Sequence, residues 1–320
     1  MDKKIRNKLK NSIFISGMHR SGTSWVSEIL STAGSYVLKD EEIFLPNYPN
    51  QNKPINIWYE YINSKNENKY IEYIENVLSN KYYLKNNLSF SKSINERIRV
   101  YYLKAYSLIR KLFYESSPLI LVEPLGLLSA EWFANTYKCK MVIIIRHPAA
   151  IISSLKINKI KYKFLNDNSL LTQNDFVKDH INLLIKDKKD IPGPNDIIGQ
   201  GILMWKILYN YVLKLQNNNN NWIFVKHEDL SLDPIKEFKV IFKKLGLLFS
   251  NKTINKINIL CSEDNKNYLL PDERDNNKRN SKELIYRWHE ILTEEEITRI
   301  NDQVSSISNI WYDEKSWKNL

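Results

Sequence analysis

Short apolar segments rich in β-branched residues recur along the chain, separated by longer segments with helical spacing. The apolar segments do not alternate with polar residues, which is typical of strands buried on both faces. This pattern predicts strands within residues 12–16, 35–38, 118–123, 140–145 and 221–225.

The helical spacing between these segments predicts five helices: Ser24–Ala33, Ile94–Glu115, Pro148–Ile157, Ile198–Gln216 and Pro234–Leu245. Strands that alternate with helices favour an α/β fold, in which helices flank a central, mostly parallel sheet. Polar segments rich in Pro, Gly or Asn predict loops at residues 45–54, 186–196, 217–221 and 262–283. Because no sharp change of composition divides the chain, we expect a single domain over residues 1–320, with its core in residues 11–250.

The composition indicates a globular protein with anionic partners. Hydrophobic residues make up 43% of the chain and the formal net charge is +11, which favours nucleotides, nucleic acid, acidic glycans or a membrane surface. Cys139 and Cys261 are far apart in sequence, and no His pair has metal-binding spacing, so neither a disulfide framework nor a metal site is expected. The longest apolar run is only residues 141–145, which predicts no membrane span and a cytoplasmic protein.

A glycine-rich loop follows the first predicted strand. Gly17 and Gly22 have the spacing of a phosphate-binding G-x-x-x-x-G loop, and a helix is predicted directly after them. Backbone N–H groups at the start of such a helix bind anions. Thr23 occupies the position of the usual lysine, and Arg20 is the nearest cation. The loop therefore predicts an anion held by a protein arginine rather than by a lysine and Mg²⁺.

A second candidate anion site follows the strand predicted at 140–145. Arg146 comes directly after this strand, Pro148 suits the first helical position, and Ser154 lies eight residues after the arginine. An arginine supplies a charged fork and a serine a neutral donor, so together they could hold one more phosphate.

Taken together, the segments "GMHRSGTS" and "RHPAAIISS" resemble the 5′-phosphosulfate loop and the 3′-phosphate motif of sulfotransferases that use 3′-phosphoadenosine 5′-phosphosulfate (PAPS). The resemblance implies a P-loop-NTPase-like sulfotransferase fold, PAPS as sulfuryl donor, adenosine 3′,5′-bisphosphate (PAP) as product, and no metal. It also implies that residues 251–320 close the nucleotide site. The implied nucleotide-binding residues are Arg20, Ser21, Gly22, Thr23, Ser24, Arg146 and Ser154.

The resemblance implies further roles in two charged segments. In "KDEEIF" (39–44), Glu42 matches the catalytic base of some bacterial members, while Glu41, Asp40 and His19 remain alternatives. In the basic segment 277–288, Lys278, Arg279 and Ser281 match residues that close over the 3′-phosphate.

One position departs from the family pattern. Val122 stands where many relatives carry a lysine, which leaves Arg20 as the catalytic cation at the bridging oxygen.

The acceptor is expected to be a glycan or glycolipid, sulfated on a hydroxyl or an amine. A phenol, a steroid-like lipid or a peptide tyrosine remains open, and the sequence does not determine the oligomeric state. The alternatives to a sulfotransferase are a P-loop kinase-like enzyme that uses ATP and a non-catalytic protein that binds a nucleotide or glycan. No nucleic-acid-binding motif accompanies the positive charge, so no nucleic-acid partner is expected.

Overall fold

The computed structural model describes most of the 320 residues, in nine segments. The described residues are 3–38, 43–46, 53–79, 118–162, 164, 169–181, 185, 190–265 and 280–318. By contacts, the chain divides into two compact units, the first formed by Met1–Ser16 and Gly34–Met141 and the second by Gly17–Ala33 and Val142–Leu320.

Five strands and ten helices form the framework of the described residues. The strands are β1 Ile13–Gly17, β2 Tyr36–Leu38, β3 Leu119–Val122, β4 Lys140–Ile145 and β5 Ile223–Lys226. The helices are α1 Lys3–Leu9, α2 Thr23–Leu30, α3 Ile71–Leu78, α4 Ala130–Tyr137, α5 Pro148–Ile157, α6 Ile197–Asn218, α7 His227–Leu232, α8 Pro234–Leu245, α9 Asn251–Cys261 and α10 Glu294–Ser308. A helical turn, Asn174–Phe176, continues as a π-helical turn, Val177–Ile181, and short 3₁₀ turns occur at Ser31–Ala33, Glu67–Lys69, Pro124–Ser129, Leu170–Thr172, Glu283–Ile285, Arg287–Glu290 and Glu314–Trp317.

The first unit contains three parallel strands in the order β2-β3-β1. Phe14 pairs with Leu121 in the β1–β3 register, and every residue of β3 is buried. Helix α4 packs against α1, and the rings of Phe14 and Phe133 lie 4.7 Å apart between centroids. The continuous apolar strands therefore form the core of this unit, as expected for parallel strands covered by helices.

The second unit contains residues 142–145 of β4, which pair in parallel with β5. Helices α5, α6 and α10 pack on one another. Two ion pairs join α10 to its neighbours, one from Lys156 to Glu296 at 2.6 Å and one from Arg299 to Asp196 at 2.5 Å. This helical layer holds the chain that leaves β4, where the second anion motif lies.

The predicted α/β class, with parallel strands and flanking helices, is confirmed. All five predicted strands form, and the helices predicted at Pro148–Ile157 and Pro234–Leu245 have the bounds given by the sequence. Sequence patterns missed six helices: α1, α3, α4, α7, α9 and α10. The helix predicted at Ile94–Glu115 lies outside the described residues.

Candidate active site

The loop between β1 and α2, residues 17–22, is called the glycine loop here. An ideal Cβ on Gly17 would lie 2.6 Å from both the Ile144 carbonyl oxygen and Ser21 Oγ, so only glycine allows this close approach. Gly22 is the N-cap of α2, with a left-handed φ of 98°. The first helical bond, Val26 N–H to the Gly22 carbonyl, is 3.2 Å long, and the preceding N–H groups have no partner within the helix.

A buried histidine lies against Gly22. An ideal Cβ on Gly22 would lie 2.6 Å from His227 Cδ2. The His227 ring packs on Trp25 with centroids 5.3 Å apart, and its Nδ1 is 3.3 Å from Ser231 Oγ. Burial, followed by the charge of Arg146, holds the pKa of His227 well below its usual value. The ring is therefore neutral at physiological pH and supports the glycine loop by packing.

The substitution Gly22→Ala is expected to destabilise the protein by about 1–3 kcal/mol from backbone strain alone. The clash of the new Cβ with the His227 ring should add to this loss. The measurement is the free energy of unfolding from urea denaturation.

Two glycines provide matched controls for this substitution. Gly34 has a φ of 86° with nothing within 4 Å of its Cβ position, whereas Gly193 has open space and no positive φ. Gly34→Ala therefore measures the strain alone, and Gly193→Ala should cost least. An equal loss in Gly22→Ala and Gly34→Ala would show that the contact with His227 contributes nothing.

Arg20 of the glycine loop meets a second arginine and a serine from separate elements. Arg20 Nε donates to Ser154 Oγ on α5 at 2.9 Å, and Arg146 Nη1 donates to the Arg20 carbonyl at 2.6 Å. Arg20 also has a left-handed φ of 73°, a backbone conformation that costs non-glycine residues energy and is concentrated at functional sites. Arg20, Arg146 and Ser154, predicted separately from two motifs, thus form one cluster.

Two polar atoms in and beside this cluster have no hydrogen-bond partner among the described residues. Ser21 Oγ and Arg146 Nε are buried and have no hydrogen bond to any described residue. Within the described residues, neither Arg20 nor Arg146 forms an ion pair with a carboxylate. Buried donors without a partner are costly in a folded protein, so this cluster is suited to a bound anion.

Several buried groups hold the residues after β4, Arg146 and His147, which are called the arginine turn here. The hydroxyl of Tyr209 accepts from Arg146 N–H at 3.0 Å, and Glu228 Oε1 accepts from His147 N–H at 2.9 Å. Burial lowers the pKa of Arg146, and the nearby Glu228 carboxylate partly opposes this. Because the ordinary pKa of arginine is very high, the guanidinium remains charged at neutral pH.

Neither Tyr209 nor Glu228 is among the site residues predicted from the sequence. A buried tyrosine inside an apolar helix gives no signal in sequence, because its partner is set by packing.

His19, one alternative for the catalytic base, is buried in this region. Its ring nitrogens lie 3.0 and 3.3 Å from the Tyr162 hydroxyl. Burial, followed by the charge of Arg20, lowers the pKa of His19 to about 3. A group with so low a pKa accepts a proton poorly near neutral pH, which weakens His19 as a candidate.

The other predicted residues divide between described and undescribed segments. Thr23, which is buried, and Ser24, which is exposed, are the first residues of α2. Ser281 is buried and donates to the Ser231 carbonyl at 3.0 Å. The remaining candidates lie outside the described residues: Asp40, Glu41, Glu42, Lys278 and Arg279.

The described residues contain no group of three or more His, Cys, Asp or Glu side chains placed to hold a metal ion. None of their helices has the length and apolar content required to span a membrane.

A match to a protein-family model identifies the family of the chain. The model of the sulfotransferase domain family matches residues 10–307. The chain belongs to the sulfotransferase domain family. The match runs through both compact units and includes the glycine loop, the arginine turn and Ser154. Family membership supports sulfotransferase activity. A comparison with curated proteins finds no significant match.

Solved structures of other sulfotransferases are similar to this one at low sequence identity. One is the sulfotransferase domain from the curacin biosynthetic pathway, with 14% identity, a TM-score of 0.47 and coverage of 92% of this chain and 97% of that one. A sulfotransferase from Alicyclobacillus acidocaldarius has 14% identity, a TM-score of 0.42 and coverage of 96% and 98%. Mouse sulfotransferase SULT7A1, solved with PAP, has 13% identity, a TM-score of 0.40 and coverage of 98% and 92%.

Proposed function

We propose that this sulfotransferase moves the sulfuryl group of PAPS to a hydroxyl or amine of an acceptor. The observation that carries the proposal is the cluster of Arg20, Arg146 and Ser154, joined by contacts of 2.9 and 2.6 Å. PAPS carries negative charge at both its 5′-phosphosulfate and its 3′-phosphate. Two adjacent arginines that form no ion pair with a carboxylate of the described residues are suited to such a doubly charged nucleotide.

The glycine loop would hold the 5′ end of the donor. The N–H groups at the start of α2 would bind its oxygens together with the Ser21, Thr23 and Ser24 side chains. Arg146 and Ser154 would hold the 3′-phosphate, and Lys278 and Arg279 are proposed to close over it. Ser21 Oγ and Arg146 Nε, which have no hydrogen-bond partner among the described residues, support this assignment, because each would gain an acceptor when the nucleotide binds.

In the proposed reaction, the acceptor oxygen or nitrogen attacks the sulfur in line with the departing 5′-phosphate. A new bond from the acceptor to sulfur forms, the bond from sulfur to the bridging oxygen breaks, and PAP leaves with the bonding electrons. Arg20 stabilises the negative charge that develops on the bridging oxygen. A base takes the acceptor proton, and Glu42 is proposed for this role, with Glu41 and Asp40 as alternatives.

The kinase-like alternative is disfavoured by the glycine loop. Thr23 stands at the position of the lysine that an ATP-dependent P-loop enzyme uses at its γ-phosphate. Arg146 follows β4 and Lys226 ends β5, whereas a Walker-B aspartate that holds Mg²⁺ would be expected at such a strand end. The charges of the site thus favour a donor bound by protein cations.

The proposed acceptor class is a glycan or glycolipid, on the basis of the resemblance to bacterial carbohydrate-modifying members. The test is incubation with sulfur-labelled PAPS and panels of glycans, phenols and amines in the presence of EDTA. We expect label on a glycan hydroxyl without added metal. Label on phenols alone would overturn the acceptor class, and γ-phosphate transfer from ATP–Mg²⁺ without any sulfuryl transfer would overturn the activity.

A further inference from the structure

The peptide groups of the arginine turn are held from the side of α6. Arg146 N–H donates to the Tyr209 hydroxyl at 3.0 Å, and Trp205 Nε1 donates to the Arg146 carbonyl at 3.2 Å. The rings of Trp205 and Tyr209 stack with centroids 4.4 Å apart, which restrains both the Trp205 donor and the Tyr209 acceptor. The direction of the Arg146 side chain is therefore set by its backbone contacts.

The next peptide of the turn is held by a buried carboxylate. Glu228 Oε1 accepts from His147 N–H at 2.9 Å, and Glu228 Oε2 accepts from the Tyr312 hydroxyl at 2.8 Å. Glu228 is 8% exposed and Tyr312 only 2%, so water cannot easily replace either donor. Each oxygen of this carboxylate thus accepts from a donor in a distant part of the chain.

Tyr312 belongs to a segment beyond the family match. The sulfotransferase domain model ends at residue 307, and the segment 308–318 that follows, here the C-terminal segment, packs onto the arginine turn. The His147 ring lies 4.8 Å from the Tyr312 ring and 4.4 Å from the Trp317 ring, between centroids. The C-terminal segment therefore supports the arginine turn by packing on His147.

We propose that Tyr312 is a positioning residue that acts through Glu228 to hold Arg146 for the 3′-phosphate of the nucleotide. This inference rests on the proposed function. Without the Tyr312 hydroxyl, Glu228 Oε2 would be buried with one donor fewer, which is costly for a carboxylate. The carboxylate would then turn or take up a proton, its hold on His147 N–H would weaken, and Arg146 would lose its fixed direction.

The substitution Tyr312→Phe removes this hydroxyl and keeps the ring that packs on His147. We expect the Kd of adenosine 3′,5′-bisphosphate to rise roughly three- to tenfold, the range expected for one lost hydrogen bond. Adenosine 5′-phosphate lacks the 3′-phosphate, so its Kd should not change. In turnover assays, KM for PAPS should rise while kcat stays close to that of the wild type. Calorimetric titration with both nucleotides provides the Kd values.

Two further variants separate positioning from general loss of structure. Tyr211→Phe removes a hydroxyl from the same unit in a different ring cluster, with Phe176 and His180, and should leave both affinities unchanged. In a double-mutant cycle, Tyr312→Phe should have a smaller effect in a Glu228→Gln background, because the two residues act as one unit.

Three results would contradict the inference. They are an unchanged bisphosphate Kd in Tyr312→Phe, an equal loss of affinity for both nucleotides, and full additivity with Glu228→Gln. A wild-type protein that binds no bisphosphate would instead overturn the proposed function, so the two failures are distinguishable.

Discussion

Arg20→Ala is expected to lower kcat/KM for sulfuryl transfer by about 10²–10³-fold, the loss typical for one group that stabilises charge in a transition state. Val122 replaces the lysine that many relatives carry, so Arg20 is proposed to act alone at the bridging oxygen. Since this charge develops only as the S–O bond breaks, most of the loss should fall on kcat. The measurement is steady-state transfer of labelled sulfate from PAPS.

Two variants control for the charge and for the backbone strain at Arg20. Arg20→Lys keeps the charge but loses the planar fork, and should recover part of the lost rate. Lys138 is another exposed cation with a left-handed φ, 57°, and Lys138→Ala should leave transfer unchanged. If Arg20→Ala turned over as fast as the wild type, the bridging-oxygen role of Arg20 would have to be abandoned.

Arg146→Ala is expected to weaken binding of adenosine 3′,5′-bisphosphate at least tenfold, which corresponds to about 1.4 kcal/mol. The substitution removes a charge-assisted bond to the proposed 3′-phosphate. It also removes the 2.6 Å bond from Arg146 Nη1 to the Arg20 carbonyl, which joins the arginine turn to the glycine loop. Calorimetric titration without metal measures the affinity.

Arg299→Ala is the matched control, because it removes a guanidinium of the same unit that pairs with Asp196 at 2.5 Å. Its bisphosphate affinity should equal that of the wild type. Adenosine 5′-phosphate should bind Arg146→Ala with little loss, since it has no 3′-phosphate. An unaltered bisphosphate affinity in Arg146→Ala would remove the second phosphate site from the proposal.

The success of the strand predictions and the failure for several helices have different physical causes. A run such as Leu119–Val122 is apolar throughout because both of its faces are covered, and that requirement is visible in the sequence. Helix α10 begins with the capping box Thr293–Glu296, a signal in the sequence that could have revealed it. Helices α1 and α3, of seven and eight residues, are too short to form by propensity, so packing decides them.

For the candidate site, local spacing and chemistry are sufficient to find the glycine loop, Arg20, Arg146 and Ser154. Glycine at positions 17 and 22 follows from backbone geometry, and an arginine after a buried strand has a recognisable spacing to the serine. The roles of Glu42, Lys278 and Arg279 rest on the family resemblance and remain predictions.

The sequence by itself determined the α/β class, the two anion motifs and the replacement of the P-loop lysine, because each depends on neighbours a few residues apart. Only the tertiary structure decided that Arg20 contacts Ser154, 134 residues away, and that Tyr312 reaches the arginine turn through Glu228, 84 residues away. Such contacts depend on how strands and helices pack, and a buried hydroxyl or carboxylate acquires its partner only when the chain closes around it.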